Sequence, residues 1–207
     1  IILITVSISS ILGDLYLSFF GNHGIYFKNK KIKMYKEISG KRYDERTVIS
    51  VYSDLKKEDD NITVKISPKN FLNKKKTKIF PLSGVSNKKT IYSNENGYYL
   101  IYKSDRYGFN NPDSEWDKNE IEYLLIGDSF AHGCCVKVNE NIGHNLRNFS
   151  KKSVINLGYS ANGPLLELAS LKEYYPKKVK NVVWLYFEND LSDLNDELKN
   201  NFIRQYL

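Results

Sequence analysis

The chain has 207 residues, a formal net charge of +7 and 41% hydrophobic residues. This length can bury one good core, and the hydrophobic fraction excludes wholesale disorder. A basic charge is compatible with an acidic partner such as nucleic acid or anionic lipid. The lysines are scattered along the chain, however, and do not gather on one arginine-rich helix. We therefore interpret the charge as a solvated basic surface and expect no nucleic-acid partner.

Residues 1–20 are mostly apolar and contain one acidic residue, Asp14. About 20 apolar residues just span the hydrocarbon core of a bilayer. Three interpretations fit this segment: the end of a transmembrane anchor, the remnant of a signal peptide, or a buried amphipathic helix. We favour a hydrophobic anchor helix over residues 1–20, because Tyr16, Phe19 and Phe20 would then form an aromatic belt at the membrane interface.

The charge that follows this segment bears on its orientation. Five lysines lie between residues 28 and 36. Because positive charge prefers the cytoplasmic side, they argue against an exported carboxyl side, unless residues before Ile1 outweigh them. The chain begins with isoleucine and its one methionine is Met34, so we expect the amino end to be missing or processed.

Residues 21–106 are predicted to form a connector followed by a small β-rich elaboration. Thr47–Tyr52 and Asn61–Ile66 are rich in β-branched residues, which favour strands. The turn-forming residues Asn94–Gly97 precede a further predicted strand at Tyr98–Tyr102. No catalytic signature lies in this region.

Residues 107–207 alternate between strand and helix patterns. Tyr107–Asp113 carries the glycine, asparagines and proline of a turn. The strands are predicted at Ile121–Ile126, Ser153–Leu157 and Lys180–Phe187, and the helices at Asn139–Ser150, Pro164–Tyr175 and Leu191–Leu207. This order implies a parallel sheet with right-handed crossovers. A sheet of three strands would leave its last edge bare, so we also expect the carboxyl end to be missing.

The first of these strands stops abruptly at Gly127-Asp128-Ser129. Because open α/β sheets bind ligands at the carboxyl ends of their strands, this stop places a serine hydroxyl where ligands bind. A serine hydroxyl is a weak nucleophile that needs a base, and attack on an ester needs donors for the oxyanion that forms. A Gly-Asp-Ser tripeptide alone is a weak signal, since simple turns also contain it.

The next two strands also end in small or amide residues, at Gly158–Gly163 and at Asn189. These three segments in this order resemble the SGNH (GDSL) family of serine hydrolases. They are particularly similar to bacterial membrane-anchored members in which a segment like Tyr107–Asp113 precedes the serine strand. The resemblance covers roughly residues 107–194. It implies an α/β fold with a three-layer flavodoxin-like parallel sheet, incomplete at the carboxyl end and preceded by the β-rich region and the hydrophobic helix.

The resemblance also implies roles for individual residues. By the family's pattern, Ser129 is the nucleophile and its backbone N–H is an oxyanion donor. Ala161 aligns with a glycine of the family that donates its N–H, and Asn189 supplies a side-chain amide. The residues that would support these turns are Gly127, Asp128 and Gly158. Gly158 and Gly163 are also fallback donors.

The chain departs from the family's pattern in two places. The third block, usually Gly-x-Asn-Asp, is Phe187-Glu188-Asn189-Asp190 here, and no Asp-x-x-His motif follows it. That motif supplies the family's catalytic acid and base. We expect His132 to be structural or solvent-facing, and we assign neither His23 nor His144 as the base. Truncation explains the missing base best, and an inactive relative is the alternative.

Four further residues attract attention without suggesting catalysis. Cys134 and Cys135 are adjacent, and neighbouring cysteines rarely bridge because the geometry is strained. We therefore expect them to be small buried residues. Asp128 and Asp190 are expected to bond the backbone of their own turns. No ligand spacing is present, so we expect no metal, and the resemblance implies no cofactor.

Three functions follow from these observations. The resemblance implies a serine-nucleophile hydrolase or acyltransferase for carbohydrate or lipid O-acyl esters. The anchor would attach it to the membrane, with residues 107–207 on the periplasmic or extracellular side. The alternative is a non-catalytic SGNH-like module that assists a membrane enzyme modifying the cell envelope. A basic protein that binds anionic lipid or nucleic acid is the third, and its support is the charge alone.

Overall fold

A computed structural model describes residues 26–73 and 79–207 of the chain. Their contacts divide the chain into two compact units, one of residues 1–45 with 96–98 and one of residues 46–95 with 99–207. The predicted anchor over residues 1–20 lies outside the described residues. In the described ranges, no helix combines the length and the apolar character that crossing a membrane requires.

The described part of the first unit contains one helix, α1, over residues 26–39. The chain then runs without regular structure to residue 45. The backbone N–H of Asp44 donates to the carbonyl of Gly97 over 2.9 Å, which joins the two segments of this unit.

The second unit begins with a helix and a small mixed sheet. The elements are α2 at Val48–Lys56, β1 at Ile62–Val64, β2 at Lys89–Ile91 and β3 at Ile101–Lys103. Strand β2 lies in the middle, parallel to β1 and antiparallel to β3. Val51, Ile62 and Ile91 form the buried core between α2 and this sheet.

The strand predicted at Thr47–Tyr52 is wrong, because this segment forms the first turns of α2. The Thr47 side chain accepts the N–H of Ser50 and caps the helix amino terminus. Val48, Val51, Tyr52 and Leu55 then share the face that packs on the core. A short run of β-branched residues is ambiguous between strand and helix, and here the cap and the helical spacing decide.

Residues 107–207 form the predicted α/β layer with a parallel sheet. Its strands are β4 at Ile121–Ile126, β5 at Val154–Asn156 and β6 at Val179–Trp184. Strand β4 is central, and both neighbours run parallel to it in the order β5-β4-β6. The helices are α3 at Ser129–His132, α4 at Ile142–Ser150, α5 at Pro164–Tyr174 and α6 at Asp190–Glu197.

Burial falls from the centre of this sheet toward β6. Leu124 and Ile126 on β4 are fully buried, whereas Val182 and Trp184 on β6 are 45% and 38% exposed. Four short 3-10 helices complete the described chain, at Pro68–Phe71, Asp113–Asp117, Val138–Glu140 and Ile203–Tyr206.

Two predicted helices are interrupted near asparagines whose side chains accept backbone N–H groups. The helix expected over Asn139–Ser150 is interrupted at Asn141, whose side chain accepts the N–H of His144 and starts α4. The helix expected over Leu191–Leu207 ends at Glu197. Asn200 Oδ1 then accepts the N–H groups of Phe202 and Ile203 at the start of the last 3-10 helix.

Helix α6 also buries an acidic face beside the predicted apolar stripe, of which Leu194 packs against the core. Its buried residues are Asp190, Asp193 and Glu197, whereas Leu191 of the expected apolar stripe is 71% exposed. The acidic side chains are buried because each finds a donor: Phe187 N–H for Asp190, Lys69 for Asp193, and the start of α5 for Glu197.

Candidate active site

The three sequence segments that suggest a site lie at one edge of the parallel sheet. Ser129 follows β4, Ala161 lies in the loop after β5, and Asn189 follows β6. Because the three strands are parallel, their carboxyl ends share an edge. The Phe130 and Phe187 rings, 4.8 Å apart between centroids, join the first loop to the third.

Ser129 is the first residue of α3 and is partly exposed. Asp128 caps this helix, with Oδ1 accepting the N–H of Phe130 over 2.9 Å. Ser129 Oγ donates to Asp128 Oδ2 over 3.3 Å. Asp128 therefore braces its own turn, as expected, and orients the serine hydroxyl.

Two glycines allow the loops to approach this turn. Gly127 has a φ of +151°, and a Cβ there would lie 3.0 Å from the Leu185 carbonyl oxygen. At Gly158 a Cβ would lie 2.3 Å from the Ala131 Cβ, so a side chain would push the second loop away from α3. At both positions a side chain would therefore crowd a neighbouring loop or helix.

Asn156, the last residue of β5, bonds α3 to the second loop. Its Nδ2 donates to the Ala131 carbonyl over 2.5 Å, and its Oδ1 accepts the Gly158 N–H over 2.8 Å. The side chain is 1% exposed. One buried amide thus satisfies backbone groups in both loops and fixes their spacing.

The segment Tyr107–Asp113 forms a turn and also supports the site through the side chains of two asparagines. Asn110 Nδ2 donates to the carbonyl of His132 over 3.0 Å, at the end of α3. Asn111 exchanges two bonds with the backbone of Asn156, with its Oδ1 accepting the N–H and its Nδ2 donating to the carbonyl. Sequence reasoning missed this role, although two consecutive asparagines before a proline were its visible signal.

His132 is sealed inside the protein and cannot act as a base for Ser129. Its ring is fully buried, and Nδ1 accepts the N–H of Ser160 over 3.1 Å. The rings of Tyr92, Tyr102 and Tyr159 surround it. Burial lowers the pKa of His132 to about 3, and the nearby Lys65 contributes. The imidazole is therefore neutral near pH 7 and holds the second loop against α3.

The second loop presents Ala161 in a left-handed conformation. Ala161 has a φ of 65°, a region that non-glycine residues enter only when their surroundings hold them there. A glycine would adopt this conformation without strain. The loop is fixed on one side by His132 and on the other by Glu197, whose carboxylate accepts the N–H groups of Gly163, Leu165 and Leu166.

The third loop is the exposed side of the site. Asn189 is exposed, and its Nδ2 donates to Asp193 Oδ2 over 3.1 Å. Asp190 is fully buried, and its Oδ2 accepts the N–H of Phe187, so it braces its own loop as expected. Phe130 and Phe187 are 55% and 49% exposed and form an apolar surface beside Ser129.

Buried carboxyl groups lie beneath this third loop. Burial raises the pKa of Glu167 to about 8, and the hydrogen bond from Trp184 Nε1 opposes the shift. Burial also raises the pKa of Glu197 to about 7. The pKa of Asp190 is raised by burial as well, and the negative charge of Asp128 adds to it. Burial, with a smaller contribution from neighbouring negative charges, therefore favours the protonated form of these carboxyl groups.

The prediction that the two cysteines do not bridge is wrong, because the structure joins Cys134 and Cys135 in a disulfide. Cys135 has a φ of 70°, which turns the chain so that the two sulfur atoms meet. Both residues are half-buried and follow α3 directly.

The similarity of this chain to known proteins is low. No protein-family model and no curated protein matches the chain. Among solved structures it is similar to AlinE4, an SGNH-hydrolase family esterase, with 20% identity, a TM-score of 0.31 and coverage of 43% of this chain and 57% of that one. Two AlinE4 mutants match at 20% and 18% identity, with TM-scores of 0.31 and 0.30. A likeness at this TM-score carries no argument about fold or activity.

Proposed function

We propose that this protein is an ester hydrolase or acyltransferase of the SGNH type, with Ser129 as its nucleophile. The observation that carries the proposal is the presentation of Ser129 on the first turn after the central parallel strand. The loops of both neighbouring strands, with Ala161 and Asn189, lie at the same sheet edge. The strand order β5-β4-β6 also suits a flavodoxin-like layer.

The proposed reaction proceeds through an acyl-enzyme. Ser129 Oγ attacks the ester carbonyl, and the alcohol leaves as the acyl group transfers to the serine. The N–H groups of Ser129 and Ala161 and the amide of Asn189 stabilise the oxyanion. Water or a second alcohol then accepts the acyl group. In the described residues no histidine bonds to Ser129 Oγ, so the base that takes the serine proton and returns it to the leaving alcohol is not assigned to a residue.

The apolar surface of Phe130 and Phe187 suits the acyl part of an ester. Both rings are exposed, and they flank the nucleophile and the third loop. We propose O-acylated carbohydrates or lipid esters of the cell envelope as the substrate class. Membrane attachment through residues 1–20 is part of the same proposal and rests on their apolar sequence.

Steady-state hydrolysis of a chromogenic ester tests this function in the protein purified from the organism that makes it. Ser129→Ala should abolish hydrolysis. Asn189→Ala should lower the rate by about 10²- to 10³-fold, the usual effect of losing one oxyanion donor. Ser53→Ala, an exposed serine on α2, is the matched control and should leave the rate unchanged.

The second candidate function is a non-catalytic module of the same fold that assists an envelope-modifying enzyme. The sealed, neutral His132 favours it, as does the bond from the Asn189 amide to Asp193. A folded, full-length protein that hydrolyses no ester and forms no serine adduct would favour this candidate over the hydrolase.

A further inference from the structure

Cys134 and Cys135 lie close to the carboxylate of Glu95, which is not one of the candidate active-site residues. The two sulfur atoms and a carboxylate oxygen of Glu95 all lie within 4.8 Å of one another. Cys134 Sγ is 3.9 Å from Glu95 Oε1. Within the described ranges this is the one grouping of three cysteine, histidine or acidic side chains whose ligand atoms come so close.

The backbone holds this arrangement in place. Cys134 N–H donates to the Ser129 carbonyl over 2.9 Å, and Gly133 before it ends α3 in a left-handed conformation. Cys134 packs against the buried cluster of Tyr92, Leu100 and Tyr102. The turn after α3 is left-handed at both Gly133 and Cys135.

The three groups match the ligand chemistry of thiophilic divalent cations. Thiolate sulfur binds such ions at about 2.3 Å and carboxylate oxygen at about 2.0–2.2 Å, so ligand atoms of one tetrahedral ion lie roughly 3.5–4 Å apart. The Cys134–Glu95 separation already falls in this range. We propose that the dithiol form of Cys134 and Cys135, together with Glu95, binds one thiophilic divalent cation such as Zn²⁺ or Cd²⁺, with water completing the coordination.

Binding of the cation requires two chemical steps. An external dithiol first reduces the disulfide, so that two protein thiols form and the reductant becomes its own disulfide. The cation then replaces the two thiol protons, which are released, while Glu95 binds as the carboxylate. Lys65 is electrostatically coupled to Glu95, so a positive side chain already offsets part of the negative charge that collects here.

Cadmium titration of the full chain tests the site without any reference to ester hydrolysis. After anaerobic reduction and removal of the reductant, Cd²⁺ should bind one ion per chain and produce a thiolate-to-cadmium charge-transfer band. The oxidised protein should give no such band. Cys134→Ser and Cys135→Ser should each lose the band. Glu95→Gln should keep the charge-transfer band but weaken Cd²⁺ binding about tenfold or more. Loss of a residue that only supports a metal ligand already weakens binding by about this factor.

Controls separate the site from general effects on the fold. Glu58→Gln, at an exposed glutamate on the turn after α2, should bind Cd²⁺ as the unmodified protein does. Circular dichroism before and after reduction checks that the dithiol form is folded. The proposal is overturned if the reduced, folded protein binds no Cd²⁺, if the disulfide resists reduction in the folded state, or if Glu95→Gln binds as tightly as Glu58→Gln.

Discussion

Different kinds of side chain surround the Ser129 turn and the third loop of the candidate site. On the nucleophile side, the buried neutral groups of Asn156 and His132 fix the Ser129 turn and the second loop. On the other side, Asn189 is exposed and its loop lies over the buried carboxyl groups of Glu167 and Glu197. The nucleophile side is braced by an amide and a buried neutral imidazole, whereas buried carboxyl groups lie beneath the third loop.

This difference makes the two sides respond to pH with opposite sign. A buried histidine with a lowered pKa costs stability as the pH falls, because the unfolded chain gains a proton that the folded chain cannot accept. A buried carboxyl with a raised pKa costs stability as the pH rises, because the unfolded chain loses a proton that the folded chain keeps.

Glu167→Gln should remove most of the loss of stability between pH 7 and pH 8. The pKa of Glu167 is about 8 in the folded state against an ordinary value of 4.5. Its ionisation should therefore lower the free energy of unfolding by roughly 4 kcal/mol in total between those two values. Urea unfolding should show a fall of about 1 kcal/mol from pH 7 to pH 8 in the unmodified protein. A flat profile there, or the same slope in Glu167→Gln, would contradict the prediction.

His132→Asn should weaken the loss of stability at acid pH. The asparagine keeps an acceptor for the Ser160 N–H but does not titrate. The pKa of His132 is about 3 against an ordinary 6.5, so its contribution, again roughly 4 kcal/mol, disappears as the pH falls from 6.5 to 3. The measurement is the difference in the free energy of unfolding between variant and unmodified protein at each pH. A difference that is constant with pH would show that His132 accepts a proton as readily in the folded chain as in the unfolded chain.

Asn156→Ala should destabilise the fold by about 3 kcal/mol at every pH. It leaves the Ala131 carbonyl and the Gly158 N–H without their buried partner, at about 1–3 kcal/mol for each group. Thermal and urea unfolding at pH 7 measure the effect. Because neither group titrates, the shift should be the same at pH 5 and pH 8.

Asn189→Ala is the matched change on the exposed side and should alter stability least. Its side chain is exposed and donates a hydrogen bond to Asp193 Oδ2, so the expected change in the free energy of unfolding is within about 0.5 kcal/mol. The same unfolding measurement applies. A loss comparable to that of Asn156→Ala would mean that the third loop is as tightly braced as the nucleophile turn, and the contrast would fail.

The sequence predicts the strands better than the side chains that join them. Strand β4 and helix α5 are predicted well because an apolar run and Pro164 at a first helical position are local signals. The acidic face of α6 is not predicted, because its donors come from residues as distant as Lys69. At Asn111 the sequence pattern indicates only a turn, because the partner of its side chain, Asn156, lies 45 positions away. Local patterns predict elements, and long-range donors decide which polar residues are buried.

The most direct test of the central claim is covalent labelling of the full-length protein, from the organism that makes it, with an organophosphonate ester probe. We expect one adduct per chain, which maps to Ser129 by tandem mass spectrometry and is absent from Ser129→Ala. Ser53→Ala should be labelled in full. A folded protein that forms no adduct, or an adduct on another residue, would contradict the assignment of Ser129 as the nucleophile.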